Sequence, residues 1–530
     1  MYARVAIRGY VDRDVPALMK PLVPSKAGTN IVMKPVVVLP KVQHPAVSLG
    51  VHVRGAALPI PDPLDGDTAQ RGARHRFCRD TPPISRCLRL RLRLFVRQWL
   101  KDNLEPLPPD SDVSFETWLR DIVQPLARKQ ELQKVYDEKL GVKPTDYFCK
   151  SFVKREFYTA YKHARMINAR SDRFKVLTGP YFKKIEEKLY SNPAFIKHVP
   201  VADRPEYIEN TLSSNGGRYA ETDHTAFEAH MTAHIMKAVE FQLYDYMLPL
   251  VCGGIWVLAH IKKALAGLNT SHFVMMMVQV FASRMSGDMC TSLGNGFTNL
   301  MIMLFVCHCI GSRCVGVVEG DDGLFRIEGR MPTVADFARV GFTLKLEVRN
   351  SLAESHFCGM VYAPEARENL ADPAELLAKF GWSTSQRRFG GPRVKASLLR
   401  AKALSLACEL PGCPIARSLA SYALRVTSGV NAIYDETRRW HVQQLGGEFQ
   451  QLPERICQRL VKPIHPASRE VVARVFGCSV EVQLSIEHYL DGLTVLQVLD
   501  HPGITSLMQE DWFDNYDRHV YEYCPGALEV

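Results

Sequence analysis

The stretch Val315–Ile327 reads Val-Gly-Val-Val-Glu-Gly-Asp-Asp-Gly-Leu-Phe-Arg-Ile. Two β-favouring runs, Val315–Val318 and Leu324–Ile327, flank the turn-forming, doubly acidic Glu319-Gly320-Asp321-Asp322-Gly323. Asp-Gly supplies the positive φ angles of a tight turn, so the stretch predicts a β-hairpin with two adjacent carboxylates at its tip. Such carboxylates repel each other unless they are solvated or bound to cations. A solvated turn accounts for the triplet equally well, because Gly-Asp-Asp arises by chance in roughly one chain of this length in ten. Partners elsewhere in the chain must decide between the two.

Upstream of the hairpin, Ser286-Gly-Asp-Met-Cys-Thr291 is a loop of small residues leading into the apolar run Asn295–Ile310, read as a buried helix. Gly294 and Gly296 are poor helix formers and point to a close approach on that helix face. Further upstream, Arg218–Thr225 reads as a short strand ending at Asp223. Phe227, Met231, Ile235, Met236, Val239 and Leu243 then recur at helical spacing and predict one long amphipathic helix. Glu228 falls in its first turn, where an acid often serves only the helix dipole. That explains Glu228 but not Asp223. Downstream, a helix over Thr333–Val340, a strand over Phe342–Val348 and a short hairpin around His356–Tyr362 are expected. From about Asp372 the pattern is mainly helical and includes the basic segment Arg387–Lys402.

Positive charge concentrates in two places. Lys150–Arg173 carries Lys154, Arg155, Lys162, Arg165 and Arg170 among β-formers and aromatic residues, which suggests a ribbon with a cationic face. Residues 71–100 hold a second cluster, in which Leu88–Leu94 alternates strictly between leucine and arginine. The alternation argues a strand, although the same letters also suit a helix continuing through Trp99. For both clusters a phosphate-facing surface and a solvated basic face stay open. Residues 1–70, rich in Pro, Val and Gly, read as an extended arm on the body of the protein, and Ser114–Lys139 as one capped helix.

The chain of 530 residues carries 66 Lys+Arg against 56 Asp+Glu, a formal net charge of +10, which suits a polyanionic partner without requiring one. Its 46% hydrophobic and 23% charged content excludes a disordered chain. Fourteen cysteines without a Cys-x-x-Cys pair read as reduced, intracellular residues. Cys307-His308-Cys309 lacks a second ligand pair nearby, so a metal there is not expected. Met1–Tyr10 has no continuous apolar core of a signal peptide, and the apolar runs Met247–Ala259 and Leu300–Cys307 are too short to span a bilayer. No transmembrane segment is expected.

In-line phosphoryl transfer by two Mg²⁺ ions needs one aspartate from a strand end and another from an adjacent hairpin tip. Asp223 and Asp321 offer that arrangement, with Asp322 as a supporting carboxylate. Lys154, Arg155, Lys162, Arg165 and Arg170 are candidates to hold a triphosphate. Lys345, on the strand after the hairpin, is the candidate proton donor to a leaving pyrophosphate, against a plain surface lysine.

This ordered set resembles the polymerase motifs of positive-strand RNA viruses and is most similar to the tombusvirus-like and nodavirus-like groups. Lys150–Arg173 resembles the basic triphosphate-binding motif, Asp223–Glu228 the first palm motif, and Ser286-Gly287 with Thr291 and Asn295 the second. Gly320-Asp321-Asp322 resembles the third, Gly341–Glu347 the fourth, and Phe357-Cys358-Gly359 the primer-grip hairpin. Together they cover roughly residues 145–365, and their shared order makes the set specific although each motif alone is weak. The resemblance implies that Asp223, Asp321 and Asp322 bind the metals and that Glu228 and Asn295 sense the ribose 2′-hydroxyl. It further implies that Ser286 and Gly287 form a mobile loop at the incoming nucleotide, with Thr291 in the same site. The family more often has Asp where this chain has Glu228, which shifts that carboxylate by about one bond length.

The expected fold is α+β: a right-hand polymerase with an antiparallel palm sheet and flanking helices. Its expected divisions are an N-terminal arm or fingers extension (1–100), fingers (101–215), a palm (216–370, with a fingers insertion at about 245–280) and a helical thumb (371–530). The expected function is RNA-directed RNA synthesis from NTPs with Mg²⁺, Mn²⁺ being able to substitute. The expected partners are an RNA template, the product strand and other viral replicase proteins, in the host cytoplasm at membrane-associated replication sites reached through a partner. Two alternatives stay open: a reverse transcriptase, which usually carries an aromatic residue and a non-glycine before the two aspartates, and a catalytically inactive RNA-binding scaffold.

Overall fold

The structure is a computed structural model that describes residues 24–34, 46–213, 216–433, 460 and 462–523. In chain order its elements begin with β1 (Asn30–Met33), β2 (Val47–Ser48), α1 (Gly66–Arg76), α2 (Arg86–Asn103), α3 (Phe115–Asp121) and α4 (Leu126–Asp137). β3 (Cys149–Val153), β4 (Met166–Arg170), α5 (Asp172–Leu189), α6 (Arg204–Leu212) and β5 (Arg218–His224) follow. Next are α7 (Phe227–His230), α8 (Ala233–Ala238), α9 (Glu240–Met247), α10 (Gly254–Ala266), β6 (Leu268–His272), β7 (Met276–Phe281) and α11 (Thr291–Cys309). The hairpin strands β8 (Arg313–Glu319) and β9 (Asp322–Glu328) precede α12 (Val334–Arg339), β10 (Leu344–Arg349), β11 (His356–Phe357), β12 (Met360–Ala363) and β13 (Glu368–Leu370). The C-terminal part holds α13 (Pro373–Phe380), β14 (Trp382–Ser383), α14 (Pro392–Glu409), α15 (Ala416–Val426), α16 (Pro466–Phe476), α17 (Val480–Gly492), α18 (Pro502–Thr505) and α19 (Glu510–Tyr523).

The quoted hairpin forms and sits at one side of a four-stranded antiparallel sheet, ordered β10-β5-β9-β8. Both faces of this sheet are covered. Val318, Phe325 and Ile327 point into a core shared with α2, α8, α9 and α11, while Val317, Leu324 and Tyr219 point into a second core with α6 and the β11-β12 hairpin. The two-residue side-chain period of a strand explains this division. A five-stranded sheet, β1-β7-β6-β3-β4, carries the basic ribbon as β3 and β4 and packs on α1. The C-terminal helices form their own core, which also takes in Leu49, Val51, Val53, Ala56 and Leu58. That N-terminal segment crosses so close to Gly381 that a Cβ there would lie 2.2 Å from the His52 Cα. Of the expected N-terminal arm, residues 1–23 and 35–45 lie outside the described residues.

Two sequence expectations are corrected and one choice is decided. Leu88–Leu94, which suited a strand or a helix through Trp99, is part of the helix α2, capped by the Ser85 side chain on the Leu88 N–H. Its buried residues are Leu92, Val96 and Leu100, at helical spacing, whereas Leu94 is 64% exposed. Ser114–Lys139 is two helices rather than one, because the chain turns extended at Ile122 and restarts after Pro125, which has no N–H to continue the first. The long helix after Asp223 is split into α7, α8 and α9, with Thr232 capping α8 and Val239 leaving helical geometry before α9. The helix α11 is 19 residues long and apolar enough to cross a membrane, but it is packed inside the protein, as expected of a core segment.

The two leucines give a direct test of α2. On a strand Leu92 and Leu94 would share a face; on the helix only Leu92 is buried. Leu92→Ala should cost about 2–5 kcal/mol of stability and Leu94→Ala within about 0.5 kcal/mol, as read by chemical denaturation. Equal losses would contradict the helix.

Candidate active site

The hairpin pairs as far as Glu319 opposite Asp322, so its turn is the two residues Gly320-Asp321. Gly320 has φ +61°, the first position of the turn type that requires glycine there. The positive φ therefore lies at Gly320, not in the Asp322-Gly323 pair from which the turn was expected. Gly323 has a different reason: a Cβ would sit 2.4 Å from the Phe325 ring and 2.8 Å from the Thr222 Oγ1. On β5, Thr222 pairs with Gly323. Asp223 and Asp322 each lie one residue beyond that last pair, and Lys345 of β10 pairs with Asp223 on the other side. A cavity of about 330 Å³ is lined by Asp223, Asp322, Lys345, Arg349, His356 and Cys358, among others.

The tip is held from below and from the side. The Asn299 side chain of α11 donates to the Asp321 carbonyl at 3.0 Å, and its oxygen lies 3.2 Å from the Nε2 of buried His224, the neighbour of Asp223. Glu319, just before the turn, pairs with the buried Arg204 at 2.6 Å and accepts from the Cys358 thiol at 3.7 Å. Asp322 is reached by solvent but ringed by protein. Desolvation there, followed by repulsion from Asp321, pushes its carboxyl up to about 7. The same environment pushes the Cys358 thiol far up.

The candidate cations separate into distinct environments. Arg165 lies 3.6 Å from Glu156, and against the effect of its burial the charges of Glu156, Asp321 and Glu228 raise its guanidinium. Lys154 pairs with Glu156 at 2.8 Å, and Lys162 lies 4.9 Å over the Tyr158 ring. Arg155 lines a separate cavity of about 600 Å³, with Lys379 and Lys402 of the C-terminal helices. Arg170 is a correction. Met166, Asn168 and Arg170 form the inward face of β4, so the guanidinium is buried. It pairs with Asp288 at 2.8 Å and donates to the Tyr147 carbonyl and the Asn269 side chain. It holds the Asp288 loop and does not face the cleft.

That loop docks on the basic ribbon. The Ser286 hydroxyl donates to the Met166 carbonyl at 2.5 Å, and the Gly287 N–H to the Asn168 carbonyl at 3.1 Å. A Cβ on Gly287 would lie 2.7 Å from that same carbonyl oxygen. Thr291 closes the loop on itself by donating to the Asp288 carbonyl. Asn295 accepts from Arg284 at 3.0 Å, and Arg284 is paired at 2.6 Å with Glu240, both side chains being fully buried. Gly294 makes room for this pair, whereas a Cβ on Gly296 would stand 3.5 Å from the Gly320 nitrogen, in ordinary contact, so the close approach expected there is made at Gly294 alone. The Glu228 carboxyl is raised by burial, opposed by Arg76.

Sequence reading missed Asn299, Arg204 and Cys358 as supports of the hairpin. Asn299 lies one helical turn after Asn295, a spacing that signals a shared face; Arg204 carries no local signal for its contact with Glu319. The donor set at the tip is all oxygen, which suits a hard divalent cation, and a cation would relieve the repulsion between Asp321 and Asp322. Among the described residues no three His, Cys, Asp or Glu side chains converge to enclose an ion unaided. A site of this kind completes its shell with phosphate or water oxygens.

The sequence matches the family described as viral RNA dependent RNA polymerase over residues 127–497. It is 24% identical over 442 residues to the RNA-directed RNA polymerase of turnip crinkle virus, covering 78% of this chain and 54% of that protein. It is 26% identical over 318 residues to the RNA-directed RNA polymerase of melon necrotic spot virus, covering 56% of this chain and 39% of that protein. The chain thus spans about half the length, or less, of these relatives.

Gly287→Ala should lift the loop from β4, because the added methyl meets backbone that cannot yield. The expected result is faster amide hydrogen exchange over residues 285–291 and a stability loss of about 1–3 kcal/mol. Unchanged exchange would show that the loop is not held at this point.

Proposed function

The chain belongs to the viral RNA dependent RNA polymerase family, and from that premise we propose that it joins ribonucleoside triphosphates into RNA on an RNA template. The observation that supports this reading is that Asp223 and Asp322 line one cavity beside the Gly320-Asp321 turn, where Asp322 also senses the charge of Asp321. In this reading the protein is the right-hand polymerase of a positive-strand RNA virus. The four-stranded sheet is its palm (216–370), the five-stranded sheet belongs to its fingers (101–215, with residues 1–100 and about 245–280), and the C-terminal helices from 371 are its thumb.

The family generally uses divalent metal ions, and Mg²⁺ is the ion proposed here, with Mn²⁺ able to substitute. Asp223 and Asp321 would hold it, with Asp322 assisting. Two such ions, when bound, stabilise the attacking and leaving oxygens of an in-line displacement. The protein's own residues do the rest. Arg165, Lys154, Lys162 and Arg155 draw in and orient the triphosphate. Lys345 is the proposed proton donor to the departing pyrophosphate; its pairing with Glu347, which raises its ammonium, has to be released before it can give up that proton. Glu228 and Asn295 read the ribose 2′-hydroxyl, Asn295 being oriented by the buried Arg284–Glu240 pair. The Ser286–Thr291 loop, docked on the ribbon, sets the floor beneath the incoming base. RNA template, product strand and NTPs are the proposed ligands. Other replicase proteins are the proposed partners, and they would supply attachment to membrane-associated sites in the host cytoplasm.

Primer extension with purified protein should incorporate NTPs in preference to dNTPs, and a dNTP preference would overturn the RNA-synthesising reading. Asp321→Ala should abolish incorporation while leaving RNA binding largely intact; full activity in that variant would remove the hairpin from the chemistry. The Asp322 carboxyl, raised to about 7 in the metal-free protein, is protonated below that pH. A cation must then displace its proton. Mn²⁺ affinity should therefore rise between about pH 6 and pH 8 with release of a proton, and Asp322→Asn should flatten that dependence in a calorimetric titration.

A further inference from the structure

The arginines of α2 are not used by the site described above. Arg86, Arg89, Arg93, Arg97 and Lys101 recur every three or four residues and so share one face of the helix. The helix packs on α8 and α9. Between these helices and the end of α10 lies a recess of about 540 Å³, into which Arg93, Arg97, Lys237, Lys262 and Lys263 converge around a single carboxylate, Asp245. Phe241 and Gln242 line it as well. No residue of this recess lines the carboxylate cavity.

The charges are only partly balanced. Asp245 is taken by Lys262 at 2.5 Å. Arg97 donates to the neutral Gln242 side chain at 2.6 Å, and Lys263 lies 5.0 Å over the Tyr147 ring. Arg93 and Lys237 have no ion-pair partner among the described residues. Nearby His234 is held below its usual range by burial and by Arg89 and Lys237, as a positive local potential requires. Crowding like charges in a concave site is unfavourable unless an anion enters it.

We propose that this recess and the arginine face of α2 form a second RNA-binding surface, which grips the phosphodiester backbone of a strand outside the polymerising cleft. The choice of RNA rests on the proposed polymerase function. The geometry favours a strand over a membrane, because a flat bilayer cannot reach cations gathered in a recess between four helices. From Arg86 to Lys101 the stripe runs about 22 Å along the helix, the length of about six stacked nucleotides. The grip is blind to sequence, since cations on long side chains read phosphate and not base edges.

The test is the triple variant Arg93→Gln, Lys237→Gln and Lys263→Gln, which removes charge while keeping most of each side-chain stem. Binding of a single-stranded RNA about 30 nucleotides long, measured across a salt series, should weaken about tenfold at low salt. The slope of log affinity against log salt should fall by about 0.7 for each phosphate that the variant no longer neutralises. Single-nucleotide incorporation on a short primed template confined to the cleft should stay at the wild-type rate. Unchanged RNA affinity and slope, in a variant that still incorporates, would overturn the proposal and leave the polymerase reading standing. A wild-type protein that binds RNA through this surface but never incorporates NTPs would do the reverse. Loss of binding to phosphatidylserine vesicles with RNA binding retained would assign the surface to a membrane instead and would also overturn it.

Discussion

The antiparallel register between Arg218–His224 and Asp322–Glu328 is the constraint on which the rest of the site depends. Because side chains alternate, a slip of one residue would send every side chain of a strand to the opposite face. Here both faces are buried, Phe325 and Ile327 on one side and Leu324 on the other, so a slip would misplace apolar groups in two cores at once. The cost of that error locks Asp223 next to Asp322 more firmly than any interaction between the carboxylates, which repel.

The parts around the sheet are tied to it by buried charge. Arg284–Glu240 lies beneath the start of α11, and Arg170–Asp288 joins the Ser286–Thr291 loop to the basic ribbon. Such pairs add little net stability, since desolvation offsets most of their attraction, but removing one partner strands a charge in the interior. They act as locators. Each fixes a polar neighbour: Arg284 donates to Asn295, and Arg170 anchors through Asp288 the loop that carries Ser286 and Gly287. Gly294 of α11 serves the same end by letting the ion pair approach the helix.

Much of the site was legible because its chemistry is local. Asp223 at a strand end, the two aspartates of the hairpin, and the Ser286-Gly287, Thr291 and Asn295 spacing could each be read from a few residues. Arg170 could not be separated from Arg165 by composition. The inward face of β4 separates them, and that face is chosen by what packs against the strand. Leu88–Leu94 stayed open between strand and helix for a related reason: alternation of leucine and arginine suits a strand, yet a helix needs only Leu92, Val96 and Leu100 to bury its stripe. The neighbouring helices α8 and α9 decide which period is used.

The sequence by itself determined the hairpin, its acidic tip, the order of the elements and the kinship with viral polymerases, because turn chemistry and short-range periodicity depend on adjacent residues. Only the tertiary structure decided which glycine bears the positive φ, that Arg204 steadies Glu319, that Asn299 links His224 to the Asp321 carbonyl, and that Arg93 and Arg97 of α2 gather with Lys237 and Lys263 in one recess. Those facts join residues far apart in the chain, and they follow from how helices and sheets bury their apolar faces together rather than from any local pattern of letters.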